Sequence, residues 1–206
     1  MRDGSAVTDF SGLSNLKFEN GKLALIDKTK EGSARFTAEN GSFTGTITVK
    51  ASQVVDVVKD INLKHRINRY LKREKPYEQP ISEADIRSLT EDQNSYKSSD
   101  IKDLTGIEYA TQLKELRFFD NKIEDAKPLA GLTNLNDLDL GRNPISDATP
   151  LAGLTNLTAL SLNGDKVSDV KPLAGLVNLE DLQLMKNGIS DISALSGLTN
   201  ITDLYM

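Results

Sequence analysis

The chain has 206 residues, 38% of them hydrophobic, and a formal net charge of −5 at pH 7. This composition is typical of soluble proteins with one or two domains, and its modest charge gives no indication of nucleic-acid binding. The chain lacks a run of 18 apolar residues, and residues 1–12 lack the apolar core of a signal peptide, so we expect no membrane insertion. The absence of cysteine excludes disulfides and thiolate metal sites, but it fits the cytosol and the cell exterior equally.

Residues 1–53 are rich in Gly, Ser and Thr and are predicted to form four short strands. Asn20-Gly21 and Asn40-Gly41 each separate apolar, strand-like segments, which is the strongest short signal for a β-hairpin. A β unit of this size buries little surface by itself. We therefore interpret residues 1–53 as a small β unit that belongs to a larger, truncated β domain, with an independently folded cap as the alternative.

Residues 54–100 are more charged and are predicted to form a helical N-terminal cap. Asp60 can cap a helix with one apolar face, and Ser82 can cap a second helix with Asp85 at the capping-box position. The other face of the first helix is basic, which could suit a membrane surface or nucleic acid. No aromatic residues interleave with these cations, so we favour a solvated face. The basic residues are Lys64, His65, Arg66, Arg69, Lys72 and Arg73.

Residues 101–206 are predicted to form repeats of 22 residues that continue to Met206, with an incomplete first unit from Ile101 to Ile107. Their spacing, L-x-x-L-x-L-x-x-N, is the signature of the leucine-rich repeat, in which each unit adds one short parallel strand. The central leucine column is Leu116, Leu138, Leu160, Leu182 and Leu204. The fold class is therefore α/β: a leucine-rich-repeat solenoid with a helical cap, preceded by a small all-β unit.

Two further columns predict how each repeat turns. Pro128, Pro150 and Pro172 exclude a central strand in the return segment, where we expect a short helical or extended turn capped by the Asp three residues earlier. An asparagine lies where the chain turns inward after each strand, because an amide can satisfy buried donors and acceptors of adjacent turns. Asp165 interrupts this column, and a carboxylate cannot donate, so we predict a weaker or distorted third repeat. The column is Asn121, Asn143, Asp165 and Asn187.

The cap and the repeats together resemble the internalins and related surface proteins of Gram-positive bacteria. The resemblance rests on the run from Asp60 to Leu71, on Ile81-Ser82-Glu83-Ala84-Asp85-Ile86, and on the repeated phrase Ile-Ser-Asp-x-x-Pro-Leu-Ala-Gly-Leu-Thr-Asn-Leu. It implies a secreted or wall-attached protein that binds host-cell proteins through its concave face. Targeting and anchoring segments and a C-terminal cap, which the family carries, are not found in this sequence.

Residues that alternate with the inward leucines are predicted to line the concave face. Carboxylates dominate this face, and a few large apolar groups among them are typical of interface anchors. Packing of Phe119 under the cap is an equal alternative to its exposure. The predicted partner-binding residues are Glu115, Arg117, Phe119, Asp137, Asp139, Asp181, Gln183, Met185, Asp203 and Tyr205.

Three kinds of function can be compared on this basis. We expect an extracellular binding or adhesion module for a protein or glycan, and the alternatives are a non-binding structural stalk and an intracellular scaffold. Catalysis is disfavoured because acidic pairs such as Asp137 and Asp139 would lie on an open sheet that cannot exclude water. No cofactor and no metal are expected. The apolar groups and unpaired strand edge at the C-terminal end predict either an antiparallel homodimer or fraying of residues 199–206.

Overall fold

The computed structural model describes the strands within residues 7–49 as backbone elements, and residues 55–73, 79–90 and 98–206 with their side chains. The chain divides into two compact units, Met1–Val54 and Val55–Met206.

The described residues of the first unit form five strands in two sheets. One sheet is antiparallel in the order β1-β4-β5, and the other is the antiparallel pair β2-β3. Both predicted hairpin pairings are present, although Asn20-Gly21 and Asn40-Gly41 themselves lie outside the described residues. The prediction of four strands missed β1, whose pairing with β4 has two register shifts. The strands are β1 (Val7–Ser14), β2 (Leu16–Glu19), β3 (Lys22–Leu25), β4 (Gly32–Ala38) and β5 (Thr44–Val49).

The second unit is built on a parallel sheet of five strands in sequential order. Leu116, Leu138, Leu160 and Leu182 are paired on neighbouring strands, which confirms the predicted solenoid. Each strand has three residues, and its central leucine is buried in the first four strands. The strands are β6 (Glu115–Arg117), β7 (Asp137–Asp139), β8 (Ala159–Ser161), β9 (Asp181–Gln183) and β10 (Asp203–Tyr205).

A short 3-10 helix precedes each strand of the sheet, as the sequence predicts for the return segments. Proline occupies the first turn of three of them, where its missing N–H leaves no bond unmade. Each preceding aspartate accepts a backbone N–H two residues later; Asp125, for example, binds the Lys127 N–H at 2.8 Å. The helices are Ile107–Tyr109, Lys127–Leu129, Thr149–Leu151, Lys171–Gly175 and Ser193–Gly197.

Asparagine side chains of the predicted column connect neighbouring turns. Asn143 accepts the Ile123 N–H at 3.0 Å and donates to the carbonyls of Phe118 and Leu140 at 3.0 and 2.5 Å. Asn187 makes the equivalent bonds to Val167, Leu162 and Leu184. One amide therefore satisfies groups from two consecutive turns that water cannot reach.

The cap consists of helices α1 (Ile61–Tyr70) and α2 (Glu83–Arg87), both with their predicted capping residues. Asp60 does more than cap α1. One carboxylate oxygen accepts the N–H groups of Asn62 and Leu63, and the other accepts those of Lys102 and Asp103 in the first turn of the solenoid. This single carboxylate thus fixes the cap to the repeats.

The basic face of α1 is only partly the solvated face that the sequence predicts: Arg69 and Lys72 are exposed, but other cations are paired. Lys64 pairs with Asp56, and the Arg66 side chain donates to the Ser99 hydroxyl at 2.9 Å. Arg73, just after the helix, pairs with Asp85 of α2 at 2.6 Å. These cations fasten the cap internally, which leaves less of the face available for an anionic surface.

The buried amides generate a first prediction. Asn143→Ala should lower the free energy of unfolding by about 2–4 kcal/mol, because it leaves buried N–H and C=O groups of two turns unsatisfied. Asn156→Ala removes one exposed bond to the Thr133 carbonyl and should lower it by less than about 1 kcal/mol. Urea unfolding of both variants makes the comparison. Equal losses would show that the buried amides do not fasten the turns.

A second prediction concerns the contact between the cap and the first repeat. Gly106 has φ +103°, and a Cβ added there would lie 2.6 Å from the Val57 carbonyl oxygen. Gly106→Ala should therefore lower the thermal midpoint by several degrees, because strain and backbone collision add. Gly131→Ala is the matched control, since its Cβ would meet nothing within 4 Å. A midpoint that is unchanged in Gly106→Ala would contradict tight docking of the cap.

Candidate functional site

The parallel sheet brings all ten predicted partner-binding residues onto one face. Eight of them flank the central leucines of strands β6, β7, β9 and β10, and Phe119 and Met185 lie two residues after the ends of β6 and β9. Because strand side chains alternate, a buried leucine forces both of its neighbours toward the other side of the sheet. The spacing of the repeat thus stacks equivalent side chains in rows across the concave face.

An ion-pair network occupies the first two strands of this face. Arg117 contacts Glu115 at 2.9 Å and also pairs with Asp137 on the next strand. Burial disfavours the charged guanidinium, but the two carboxylates outweigh this effect and raise the pKa of Arg117. The arginine therefore neutralises the carboxylates nearest to it and has its donors occupied by groups of the same face.

Asp139, at the centre of the face, is less exposed than the sequence predicts. Burial raises the pKa of its carboxyl, although hydrogen bonds from the Gly141 N–H and the Ser161 hydroxyl act in the opposite direction. A Cβ on Gly141 would lie 3.2 Å from both the Asn163 carbonyl oxygen and the Ser161 hydroxyl. The glycine thus lets the neighbouring turn approach closely, and this approach covers Asp139.

The next two strands carry a network of oriented amides. Asn163 accepts the Met185 N–H at 2.7 Å and donates to Gln183 at 2.8 Å. Gln183 in turn donates to the Asp181 carboxylate at 3.0 Å. The Asp181 carboxylate is consequently fixed in direction before any partner arrives, which lowers the entropy lost on binding.

The apolar groups of the face differ in exposure. Met185 and Tyr205 are 39% and 45% exposed, whereas Phe119 is partly buried. The Arg142 guanidinium lies 5.1 Å from the centre of the Phe119 ring, a cation–π contact that the sequence analysis missed. Phe119 is therefore accessible mainly at one side of its ring.

Two hollows mark the surface of the second unit. The first, about 240 Å³, lies on the concave face between Phe119, Asp139 and Gln183. The second, about 380 Å³, lies on the outer flank between Lys102, Lys122 and Pro128. Carboxylates of the outer hollow, such as that of Asp103, already accept backbone N–H groups of their own turn, so they have a structural role. The concave hollow is thus the better candidate for a partner.

A second row of amides was not identified from the sequence. Each of these asparagines donates through its side chain to a carbonyl of the preceding turn, at 2.8 to 2.9 Å. The signal was available, because each asparagine precedes an inward residue of the first apolar column. The row is exposed and links turns on the flank of the solenoid. Its members are Asn134, Asn156, Asn178 and Asn200.

Nothing in the described ranges resembles a membrane-spanning helix in length and apolarity. Within those same ranges, no three His, Asp or Glu side chains lie close enough to share a metal ion.

Comparisons with known proteins agree with this architecture. A family model for leucine-rich repeats, in two copies, matches residues 111–153. Comparison of the sequence with curated proteins gives no match.

Three solved structures from Listeria monocytogenes are similar. The internalin inlF is 32% identical with a TM-score of 0.65, and the match covers 72% of this chain and 43% of inlF. Internalin C2 is 26% identical with a TM-score of 0.56, over 75% of this chain and 80% of its own. The functional domain of InlJ, described as including a cysteine ladder, is 25% identical with a TM-score of 0.54, over 70% of this chain and 35% of its own. The chain spans less than half of inlF and of the InlJ domain. Its repeats and these similarities show an internalin-like leucine-rich-repeat protein.

Proposed function

We propose that the protein is an extracellular binding module whose concave sheet face binds a protein partner. The internalin-like fold is typical of protein-binding modules rather than of enzymes. The observation that carries the proposal is the concave face itself, where oriented carboxylates surround exposed Met185 and Tyr205. Apolar anchors within a polar rim are the usual composition of a protein interface.

Charge indicates what kind of partner fits this face. Its strands carry five carboxylates against one guanidinium, and Arg117 is paired with Glu115 and Asp137. Asp181 and Asp203 keep a negative charge near the apolar anchors. A protein with lysine or arginine side chains at its contact surface is therefore favoured over an acidic one, and over a neutral glycan.

The area of the face sets a limit on affinity. Five strands about 4.8 Å apart, each counted with its three residues and the two that follow, give on the order of 300 Å² of projected face. A stable complex usually buries about 800 Å² on each partner. Because the chain spans 43% of inlF, we propose that additional repeats or the flanks of the solenoid contribute to tight binding.

The segments of the chain have separate roles in this proposal. Residues 54–100 cover the first turn of the repeats, residues 101–206 provide the binding face, and residues 1–53 are a small β unit. The resemblance to internalins supports a secreted or wall-attached protein and binding to a host-cell receptor. A non-binding stalk and an intracellular scaffold are the alternatives that the experiments below would favour if binding fails.

A homodimer through the C-terminal edge remains a prediction. Leu204 on the last strand and Met206 just after it are 41% and 53% exposed, whereas the residues at the equivalent positions of earlier repeats are buried. A second copy paired antiparallel with β10 would cover these groups. Light scattering at several protein concentrations would show a rising mass if it forms, and a constant monomer mass with protease-sensitive residues 199–206 would favour fraying.

The third prediction tests the binding face directly. The variant Phe119→Ala, Met185→Ala, Tyr205→Ala should lose at least tenfold in capture of a protein from host-cell surface extract, because it removes the apolar anchors. Capture by the unaltered protein should also weaken as NaCl rises from about 50 mM to about 500 mM, because salt screens the carboxylates. Bound protein is measured after immobilising equal amounts of each variant.

The matched control removes exposed apolar groups outside the sheet. Val177 and Ile192 are 50% and 42% exposed on the return segments. The variant Val177→Ala, Ile192→Ala should capture the same protein as strongly as the unaltered chain. Thermal unfolding shows whether each variant is folded. Equal capture by the concave variant, the control and the unaltered chain would favour the structural stalk.

A further inference from the structure

Asp165 occupies a buried position of the asparagine column, where the fold requires a donor. The residue is 7% exposed, and its Oδ1 accepts the Asn143 N–H at 2.6 Å. Its Oδ2 is fully buried and, within the described part of the chain, has no hydrogen-bond partner. A buried polar atom without a partner costs about 1–3 kcal/mol, and an ionised one costs more.

The asparagines of neighbouring repeats indicate which groups belong at the position of Oδ2. In Asn143 and Asn187 the corresponding atom is the amide nitrogen, which donates to the carbonyl three residues earlier and to the carbonyl 25 residues earlier. At Asp165 the same spacings lead to the carbonyls of Leu162 and Leu140, which also accept the side-chain amides of Asn187 and Asn143. A carboxylate oxygen there is an acceptor placed against acceptors, whereas a protonated oxygen can donate as the amide does.

The charged groups around Asp165 do not relieve this conflict. Burial is the largest cause that raises the pKa of Asp165, to about 8, and the carboxyl of Asp139 raises it further, against the Asn143 N–H. The cations of the adjoining turns, Arg142, Lys166 and Lys186, are exposed, and the Arg142 guanidinium lies over Phe119.

We propose that Asp165 is a proton-binding joint in the solenoid: its neutral carboxylic acid replaces the missing amide donor, and its ionisation loosens the contact between the second and third repeats. The joint lies beneath the centre of the concave face. Asn163, two residues earlier, holds Gln183 and the Met185 N–H, so movement of this turn disturbs the oriented amides of that face. Acidic conditions therefore stabilise this part of the solenoid and alkaline conditions weaken it.

The direction of the pH effect follows from proton binding. An unfolded carboxyl releases its proton near 3.8, whereas the folded state holds it to about pH 8. Between these values the folded state binds more protons, so stability falls as pH rises through this window and is constant above it. Within this window, the proton equilibrium of Asp165 increases the unfolding equilibrium constant of the protein by roughly tenfold per pH unit.

The fourth prediction compares urea unfolding of the unaltered protein with that of the variant Asp165→Asn at pH 5 to 9. The ratio of their unfolding constants should increase by up to about tenfold per pH unit up to about pH 8 and then remain level. Asp147→Asn is the control, because hydrogen bonds from Thr149 lower the pKa of that exposed carboxyl and its ratio should be constant over this range. A constant ratio for Asp165→Asn would overturn the proposal.

A second measurement observes the titration in the unaltered protein itself. Carbon-13 NMR of the unaltered protein follows each aspartate carboxyl during a pH titration. One carboxyl should titrate several pH units above the ordinary range, and its signal should be missing in Asp165→Asn. In the same titration, exchange of the Met185 N–H should accelerate above pH 8 more in the unaltered protein than in the variant. Titration of all carboxyls below about pH 5 would overturn the proposal.

Discussion

The structure depends on how a narrow leucine core satisfies the backbone beside it. The ladder of backbone bonds continues past each three-residue strand as far as Asp120 and Arg142, and inward carbonyls and N–H groups beside it need other partners. The stacked side chains of Asn121, Asn143 and Asn187 provide donors and acceptors at these points. Because each amide bonds to its own turn and to the one before it, the repeats cannot separate without exposing several buried polar groups at once.

The same constraint determines which residues line the concave face. With leucines on the inner side of each strand, the adjacent positions must face outward, and the 22-residue period places them in rows. The rows are then free to vary without loss of the core. In this chain they carry carboxylates, with Arg117 paired at one end and Asp181 oriented by Gln183 nearer to the other. Asp165, the weak point of the amide column, lies under the same face. The stability of the solenoid and the order of that face are therefore coupled.

Periodicity made the solenoid predictable from sequence, because strand pairing between identical units leaves a single register for Leu116, Leu138 and their equivalents. The caps at Asp60 and Ser82 were predictable for the same local reason, since the capping residue and the start of the apolar face adjoin in sequence. Strand β1 was not predictable, because its pairing with β4 is irregular and its sequence lacks a clear alternation of apolar and polar residues.

For the concave face, the sequence predicts only which positions line it. That Asp139 is half-covered depends on the close approach permitted by Gly141, and that Phe119 lies under Arg142 depends on a contact between turns. Neither follows from the order of residues within one repeat. The role of Asp60 in holding Lys102 likewise joins residues about 40 positions apart, which no local pattern shows.

Radical footprinting of the complex with the captured partner tests the central claim most directly. Hydroxyl radicals oxidise exposed Met, Tyr and Phe side chains, and mass spectrometry locates each modification. Binding to the concave face predicts that Met185, Tyr205 and Phe119 become protected while Val177 and Ile192 react as in the free protein. Protection of Val177 and Ile192, with Met185 and Tyr205 unchanged, would contradict the account and place the partner on another surface.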